Sequence, residues 1–453
     1  RLYTVNILPD GSPAPNASFG IGGTGNTLAS YKGFNTLSHV ISADGSRIFW
    51  TDISNGSLYV REGDARTSLI AEGARYLTAS SDGSKVLYTK GGDLYEDDLD
   101  TGVTRDLAPG AELLGLMGAG ENLEYIYFVG QGALTGGASA GQSNVYVSHE
   151  GHTSLVATLG SEAEEEVTFL IPLVSWSIDQ GFRPADVTPS GHDVVFMSRK
   201  SLTGYDNAFH VAEVYMYDAS SGGLSCVSCD PTGEPGSGGT LSISEHSTYQ
   251  QHVISDDGNR VFFESADPLL PQAQNGKLNV YEWERDGTGS CTDASGCIYL
   301  LSSGSSPYSS YFVDASASGN DVFLFTSSQL VPADQNEYND IYDARVGVVE
   351  ASAPTQCTGT GCQGVAASPP VFATPASTTF AGVGNYAPPA APVAKPKPKK
   401  KTSKCTVKKP KKGSKKKPKA KQSAKQAKAK PAPCKAKKAA KRARPGKKAR
   451  GGR

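Results

Sequence analysis

Hydrophobic and polar positions alternate along most of the chain in short runs, and the runs recur as a unit. One half of the unit is a small residue, then Asp-Gly or Ser-Gly, a polar residue, and an alternating apolar stretch. It stands as Ser42-Ala43-Asp44-Gly45-Ser46-Arg47-Ile48-Phe49-Trp50 and returns as Ser81-Asp82-Gly83-Ser84-Lys85-Val86-Leu87-Tyr88. A degenerate copy runs Gly118-Ala119-Gly120-Glu121-Asn122 into Tyr125-Ile126-Tyr127-Phe128. Further copies surround Gly191, Gly258 and Gly319. Asp-Gly supplies the positive φ of a tight turn at little steric cost. The β-branched and aromatic run after it fits a pleated, half-buried surface.

The other half of the unit is a strand centred on an apolar-Tyr step. It occurs as Leu58-Tyr59, Leu94-Tyr95, Val145-Tyr146, Val214-Tyr215, Val280-Tyr281 and Ile341-Tyr342. A turn and one more strand follow several copies. Each unit therefore holds about four short strands, and no stretch carries a long amphipathic helical period. The six marker glycines, with Gly120 taken for the third, are spaced by 38, 37, 71, 67 and 61 residues. The shorter spacings fit a bare four-stranded blade and the longer ones a blade with inserted loops. A lone four-stranded sheet cannot bury its faces; radial packing of such sheets does. The expected fold is all-β: a β-propeller of about six to seven four-stranded blades over residues 1–352. The opening Arg1–Gly11 looks like the Leu-Tyr strand and turn of an earlier unit. It either completes the last blade or marks a further, upstream part of the propeller.

The C-terminal quarter is of another kind. Residues 353–394 are an Ala/Pro/Ser/Thr-rich linker that cannot bury a core. Residues 395–453 form a Lys/Ala/Pro-rich tail, expected to be disordered. Of 44 Lys and Arg, 28 lie from Lys395 onward, while all 45 Asp and Glu lie at or before Glu350. The body thus carries about −29 and the tail about +28, and the net charge of −1 describes neither. A polycation gains by releasing counterions from polyanions. Without aromatics between its lysines, the tail offers no base stacking. Expected partners are an anionic cell-wall polymer or another polyanion: lipid, DNA or the acidic body itself.

The cysteines come in sequence-near couples: Cys226 and Cys229, Cys291 and Cys297, Cys357 and Cys362, with Cys405 and Cys434 in the tail. The first three couples lack nearby His and point to local disulfides rather than zinc, hence to an oxidising compartment. No stretch approaches the roughly 20 apolar residues of a membrane span. The expected location is extracellular or envelope-associated.

The repeat resembles the WD-repeat-like propeller family typified by the periplasmic propeller TolB, over roughly residues 38–345. The later blades resemble secreted actinobacterial propellers. Their pattern is matched by Phe325-Thr326-Ser327-Ser328-Gln329-Leu330-Val331-Pro332-Ala333-Asp334-Gln335-Asn336 and Asp340-Ile341-Tyr342, and more weakly from Phe263 to Pro271. The resemblance implies a fold and no activity. The basic tail is foreign to the Tol propeller, so a Tol-type role is not implied.

Chemistry-bearing motifs are sparse. Gly137-Ala138-Ser139-Ala140-Gly141 matches a nucleophile elbow, but it sits in a Gly/Ser-rich loop that leads into a strand. Asp334–Asp340 and Asp97–Asp100 could offer oxygens to calcium, or be solvated Asx turns. His246 and His252 flank Tyr249 without a third ligand. Glu162–Glu166 fits a solvated loop. Trp50, Tyr88, Tyr127, Tyr281 and Trp283 are either sugar-stacking platforms or packing between blades. No catalytic, cofactor-binding or metal residue is assigned, and no cofactor is expected. The leading expectation is a non-enzymatic exported binding or scaffold propeller held at the cell envelope by its tail. The alternatives are a carbohydrate- or peptide-binding receptor using the propeller mouth, and a cytoplasmic or nucleoid DNA-binding protein.

Overall fold

In a computed structural model, residues 2–20, 38–160, 185–242 and 251–347 are described, all within one compact unit. Every regular element among them is a β-strand. The linker and tail assigned to 353–394 and 395–453 lie outside these residues.

Six antiparallel sheets follow one another along the chain. Blade 1 comprises β1 (Ala17–Phe19), β2 (Arg47–Asp52), β3 (Ser57–Glu62) and β4 (Arg66–Ala71). Blade 2 holds β5 (Arg75–Ala79), β6 (Lys85–Lys90), β7 (Asp93–Asp98) and β8 (Val103–Asp106). Blade 3 holds β9 (Leu113–Ala119), β10 (Tyr125–Gly130), β11 (Asn144–His149) and β12 (His152–Thr158). Blade 4 holds β13 (Ala185–Val187), β14 (Asp193–Ser198), β15 (Glu213–Asp218) and β16 (Gly223–Cys226). Blade 5 holds β17 (Gly239–Thr240), β18 (Arg260–Ser265), β19 (Asn279–Glu284) and β20 (Cys297–Leu300). Blade 6 has three described strands, β21 (Ser310–Ala315), β22 (Asp321–Thr326) and β23 (Asp340–Arg345). In every sheet the strands pair in chain order. This is the propeller that the repeat predicts.

The turn that opens each second strand is held by its own side chains. In blade 1, Ser42 Oγ donates to Asp44 Oδ1 at 2.7 Å and accepts the Arg47 N–H at 2.9 Å. Ser80 with Asp82, and Ser255 with Asp257, repeat both bonds. Gly45, Gly83, Gly191, Gly258 and Gly319 all have positive φ. In blade 3 the marker is not Gly120. The equivalent N–H, bonded to the Gly120 carbonyl, belongs to Leu123, a buried leucine at φ 58°. Asn122 takes the Asp role by accepting the Glu124 N–H.

These turns also link the blades. The residue two before each positive-φ position donates its N–H to the carbonyl of its counterpart in the next blade. The chain of bonds is Ala43 to Ser81, Ser81 to Glu121, Glu121 to Pro189, and Asp256 to Ala317, at 2.7–2.8 Å. Pro189 has no N–H, so blade 4 cannot extend the series to blade 5. An ion pair spans that joint instead: Arg285 of blade 5 reaches Asp193 at 2.5 Å and Asp218 at 3.1 Å in blade 4.

Apolar packing fills the spaces between sheets. Phe49, Leu58, Tyr76 and Tyr88 join blades 1 and 2; Leu87, Leu94, Phe128 and Tyr146 join blades 2 and 3. A larger cluster runs on from blade 3 to blade 6. The amino-terminal segment folds as a small hairpin, with Ile7 opposite Pro13, and lays Val5, Leu8 and Ala14 on Trp50 and Tyr59 of blade 1. It pairs with no strand of blade 6 among the described residues, so it does not complete that blade there.

Candidate functional site

Residues from blades 2, 3 and 4, with the segments that lead into β2 and β18, line a cavity of about 190 Å³. Its wall includes Ser38, His39, Thr78, Asp186, Gln251 and His252. Glu121, Pro189 and Asp256, from the interblade ladder, border it at the turn end. The cavity therefore touches the joint where Pro189 breaks the ladder.

Both histidines are oriented from behind. His39 Nδ1 lies 2.8 Å from the Ala79 carbonyl, which can only accept. His252 Nδ1 lies 3.3 Å from Asp314 Oδ1, and the same oxygen accepts the His252 N–H at 2.9 Å. A proton on Nδ1 leaves Nε2 as the acceptor of a neutral ring. Asp186 is buried and accepts the Val187 N–H at 2.9 Å. Two imidazoles, a carboxylate, an amide and two hydroxyls on one cavity wall can hold a small polar ligand through directed hydrogen bonds.

Three buried carboxyls stand on the strands of blades 4 and 5. Glu213 accepts from Ser228 Oγ at 2.5 Å, and burial pushes its carboxyl up to about 7. Glu264 accepts the Phe312 N–H of blade 6 at 2.7 Å, and burial likewise raises it to about 7. Glu282 reaches about 7 as well, burial outweighing the Arg260 guanidinium 3.1 Å away. Glu264 thus ties blade 5 to blade 6, while Ser228 and Arg260 hold Glu213 and Glu282 within their own blades.

The other motifs resolve into structural roles. Trp50, Tyr88, Tyr127, Tyr281 and Trp283 are all buried, so none is a sugar-stacking platform. Ser139 lies in a loop leading to β11, and no helix follows it, so the nucleophile-elbow geometry is not formed. Asp98 Oδ1 accepts the Asp100 and Thr101 N–H groups, and Asp334 Oδ1 accepts that of Asn336; both are Asx turns. Cys226 is joined to Cys229 and Cys291 to Cys297. Glu213 converges on the first pair, but sulfurs tied in a disulfide offer no thiolate to a metal. His246, Tyr249, Glu162–Glu166, the couple Cys357 and Cys362, Cys405 and Cys434 lie outside the described residues.

The motif search missed His39, Thr78, Asp186 and Gln251. A positional signal existed: His39 and His252 stand six residues before the positive-φ glycine of their blade, and Thr78 and Asp186 stand five. Residue type alone marks none of them.

No protein-family model matches the chain, and no curated protein matches it. Solved structures similar to it include the tricorn protease, at 9% identity and a TM-score of 0.38, over 74% of this chain and 30% of that one. TolB from Acinetobacter baumannii is 14% identical at a TM-score of 0.25, over 64% of this chain and 62% of that one. The propeller domain of the Trilobed protease from Pyrococcus furiosus is 12% identical at a TM-score of 0.29, over 68% and 78%. The chain thus spans less than two thirds of the first two. At such scores the fold assignment rests on the sheets themselves: the chain is a β-propeller protein.

Proposed function

We propose that this is an exported, non-enzymatic binding or scaffold propeller, held at the cell envelope by its basic tail. The division of charge carries this reading: about −29 before Lys395 and about +28 after it. So complete a separation gives one end of the chain affinity for polyanions and keeps the other clear of them. The disulfides at Cys226–Cys229 and Cys291–Cys297 support export. So does the likeness of the last two blades to secreted actinobacterial propellers.

A second reading, a receptor for a small polar ligand or peptide end, is favoured by the cavity with His39, Gln251 and His252. It is compatible with the first, the tail then acting as tether. DNA binding in the cytoplasm is disfavoured by the same disulfides. The deciding experiment compares the whole chain with one ending at Glu350 on cell-wall polymer, anionic vesicles and DNA. Retention of the whole chain alone supports the tail as anchor; equal retention of both overturns it and directs mapping to the cavity.

A further inference from the structure

The wall of the cavity beside Pro189 is rich in groups that accept hydrogen bonds and poor in groups that donate them. Its side chains include the carboxylates of Glu121, Asp186 and Asp256 and no Lys, Arg or Trp. Both imidazoles turn Nδ1 to an oxygen, His39 to the Ala79 carbonyl at 2.8 Å and His252 to Asp314 at 3.3 Å. A proton held there leaves each Nε2 as an acceptor. Three formal negative charges thus stand on this wall, and no residue lining it carries a fixed positive one. A ligand complementary to such a wall brings N–H donors and positive charge.

The carboxylates differ in depth. Asp186, on β13, is 7% exposed, whereas Glu121 and Asp256 are exposed members of the interblade ladder at the turn end. Leu116 and the buried Ile254 add apolar wall. Apolar wall beside carboxylates suits an aliphatic stem that carries its charge at the tip. Among the described residues, no three His, Asp or Glu ligand atoms of this wall lie within 4.8 Å of one another, so it forms no cage around a bare metal ion. The volume of about 190 Å³ is below the roughly 300–1,000 Å³ of drug-sized sites, so a long ligand enters by one end.

We propose that this cavity receives a primary ammonium on an unbranched aliphatic stem, with Asp186 as its buried counter-ion and Glu121 and Asp256 drawing it in at the rim. The inference rests on the reading of the cavity as a ligand site and names the chemistry that the site selects. An ammonium carries three donors and no acceptor, which matches a wall of acceptors. A carboxylate-bearing ligand would instead meet three like charges with no Lys or Arg to pair it. Two sources present the required end alike: a free aliphatic diamine, and the lysine side chain of a polypeptide.

The test titrates the whole chain by calorimetry with three probes of one length: a five-carbon α,ω-diamine, the matching diol and the matching dicarboxylate. The expected result is saturable binding of one diamine per chain and no binding of the other two. Asp186→Asn keeps an oxygen for the Val187 N–H and should weaken the diamine at least about tenfold. Glu121→Gln together with Asp256→Asn should weaken it about threefold. These two side chains are exposed, so the rim variant reports even where Asp186→Asn fails to fold. Asp64→Asn, an exposed carboxylate outside the cavity, should change nothing. Nα-acetyl-lysine amide separates the sources: it binds more tightly than the diamine where the ligand is a polypeptide lysine, and less tightly where it is a free amine. Tighter binding of the diol or the dicarboxylate would overturn the ligand class and leave the cavity reading standing. Binding of no probe would overturn both. Equal losses in Asp64→Asn and in the cavity variants would also overturn the proposal, because diffuse attraction to the acidic body then accounts for the binding.

Discussion

The hydroxyl of Tyr281 donates to the carbonyl of Asp267 at 2.7 Å, fourteen residues earlier in the chain. The same bond recurs from Tyr146 to Gly132, Tyr215 to Lys200 and Tyr342 to Ser328, at 2.6–3.0 Å. The tyrosine oxygen also accepts a backbone N–H from Leu134, Leu202 and Leu330 in turn. Each tyrosine thereby pins the long loop between the second and third strands of its blade. Blades 1 and 2 have short hairpins there, and their tyrosines stack on a cross-strand aromatic, Tyr59 on Trp50 and Tyr95 on Tyr88, as Tyr281 also does on Phe263. The apolar-Tyr step of the repeat therefore takes on the pinning of a loop where that loop is long.

Tyr281→Phe removes a donor and strands a buried carbonyl. It is expected to cost about 1–2 kcal/mol by urea unfolding. Tyr95→Phe, with no loop to hold, should stay within about 0.5 kcal/mol of the parent. Equal losses in both would contradict the loop-pinning role.

Gly258 tests the blade 4–blade 5 joint. A Cβ there would lie 2.1 Å from Asp193 Oδ2, at a φ of +70°. Gly258→Ala must displace the carboxylate that Arg285 holds. The expected loss is about 2–4 kcal/mol, against about 1 kcal/mol for Gly102→Ala, which has positive φ and open space. Thermal unfolding of the pair separates strain from the broken joint.

Three carboxyls raised to about 7 set a pH dependence. A carboxyl with a raised folded pKa binds more protons folded than unfolded between about 4.5 and 7. Its stability contribution is therefore present at low pH and lost as pH rises through that window. The urea midpoint should fall between pH 5 and pH 8, and Glu264→Gln should flatten the fall. A midpoint that rises over this range would overturn the assignment.

Reduction of the disulfides should loosen blades 4 and 5 without unfolding the protein. The loops closed by Cys226–Cys229 and Cys291–Cys297 are short, with separations of 3 and 6 residues. Loop-closure entropy then gives about 2 kcal/mol each. A thiol titration with and without reductant, followed by calorimetry, checks both the bonds and their worth.

The turn-and-strand repeat carried the blade architecture into the sequence because blades 1, 2 and 5 make the same local bonds, Ser42 with Asp44, Ser80 with Asp82 and Ser255 with Asp257. The third marker was misread because the backbone requires a positive φ, not a glycine, and Leu123 supplies it. The facing of Trp50, Tyr127 and Tyr281 was not legible because both faces of an interior blade are buried, which removes the alternation that separates inside from outside. The cavity residues were hidden for a related reason: they stand on a short strand such as β13 or in segments outside the strands, such as Ser38–His39 and Gln251–His252, and they come from blades far apart in the chain.

The central claim, that the tail is an electrostatic anchor on an acid body, is tested most directly by a salt titration. Binding of the whole chain and of the chain ending at Glu350 to long-chain polyphosphate would be followed from low to high salt. The account predicts that log K for the whole chain falls linearly and steeply with log salt, and that the shortened chain does not bind at any salt. A shortened chain that binds as tightly, or a whole chain whose affinity ignores salt, would contradict it.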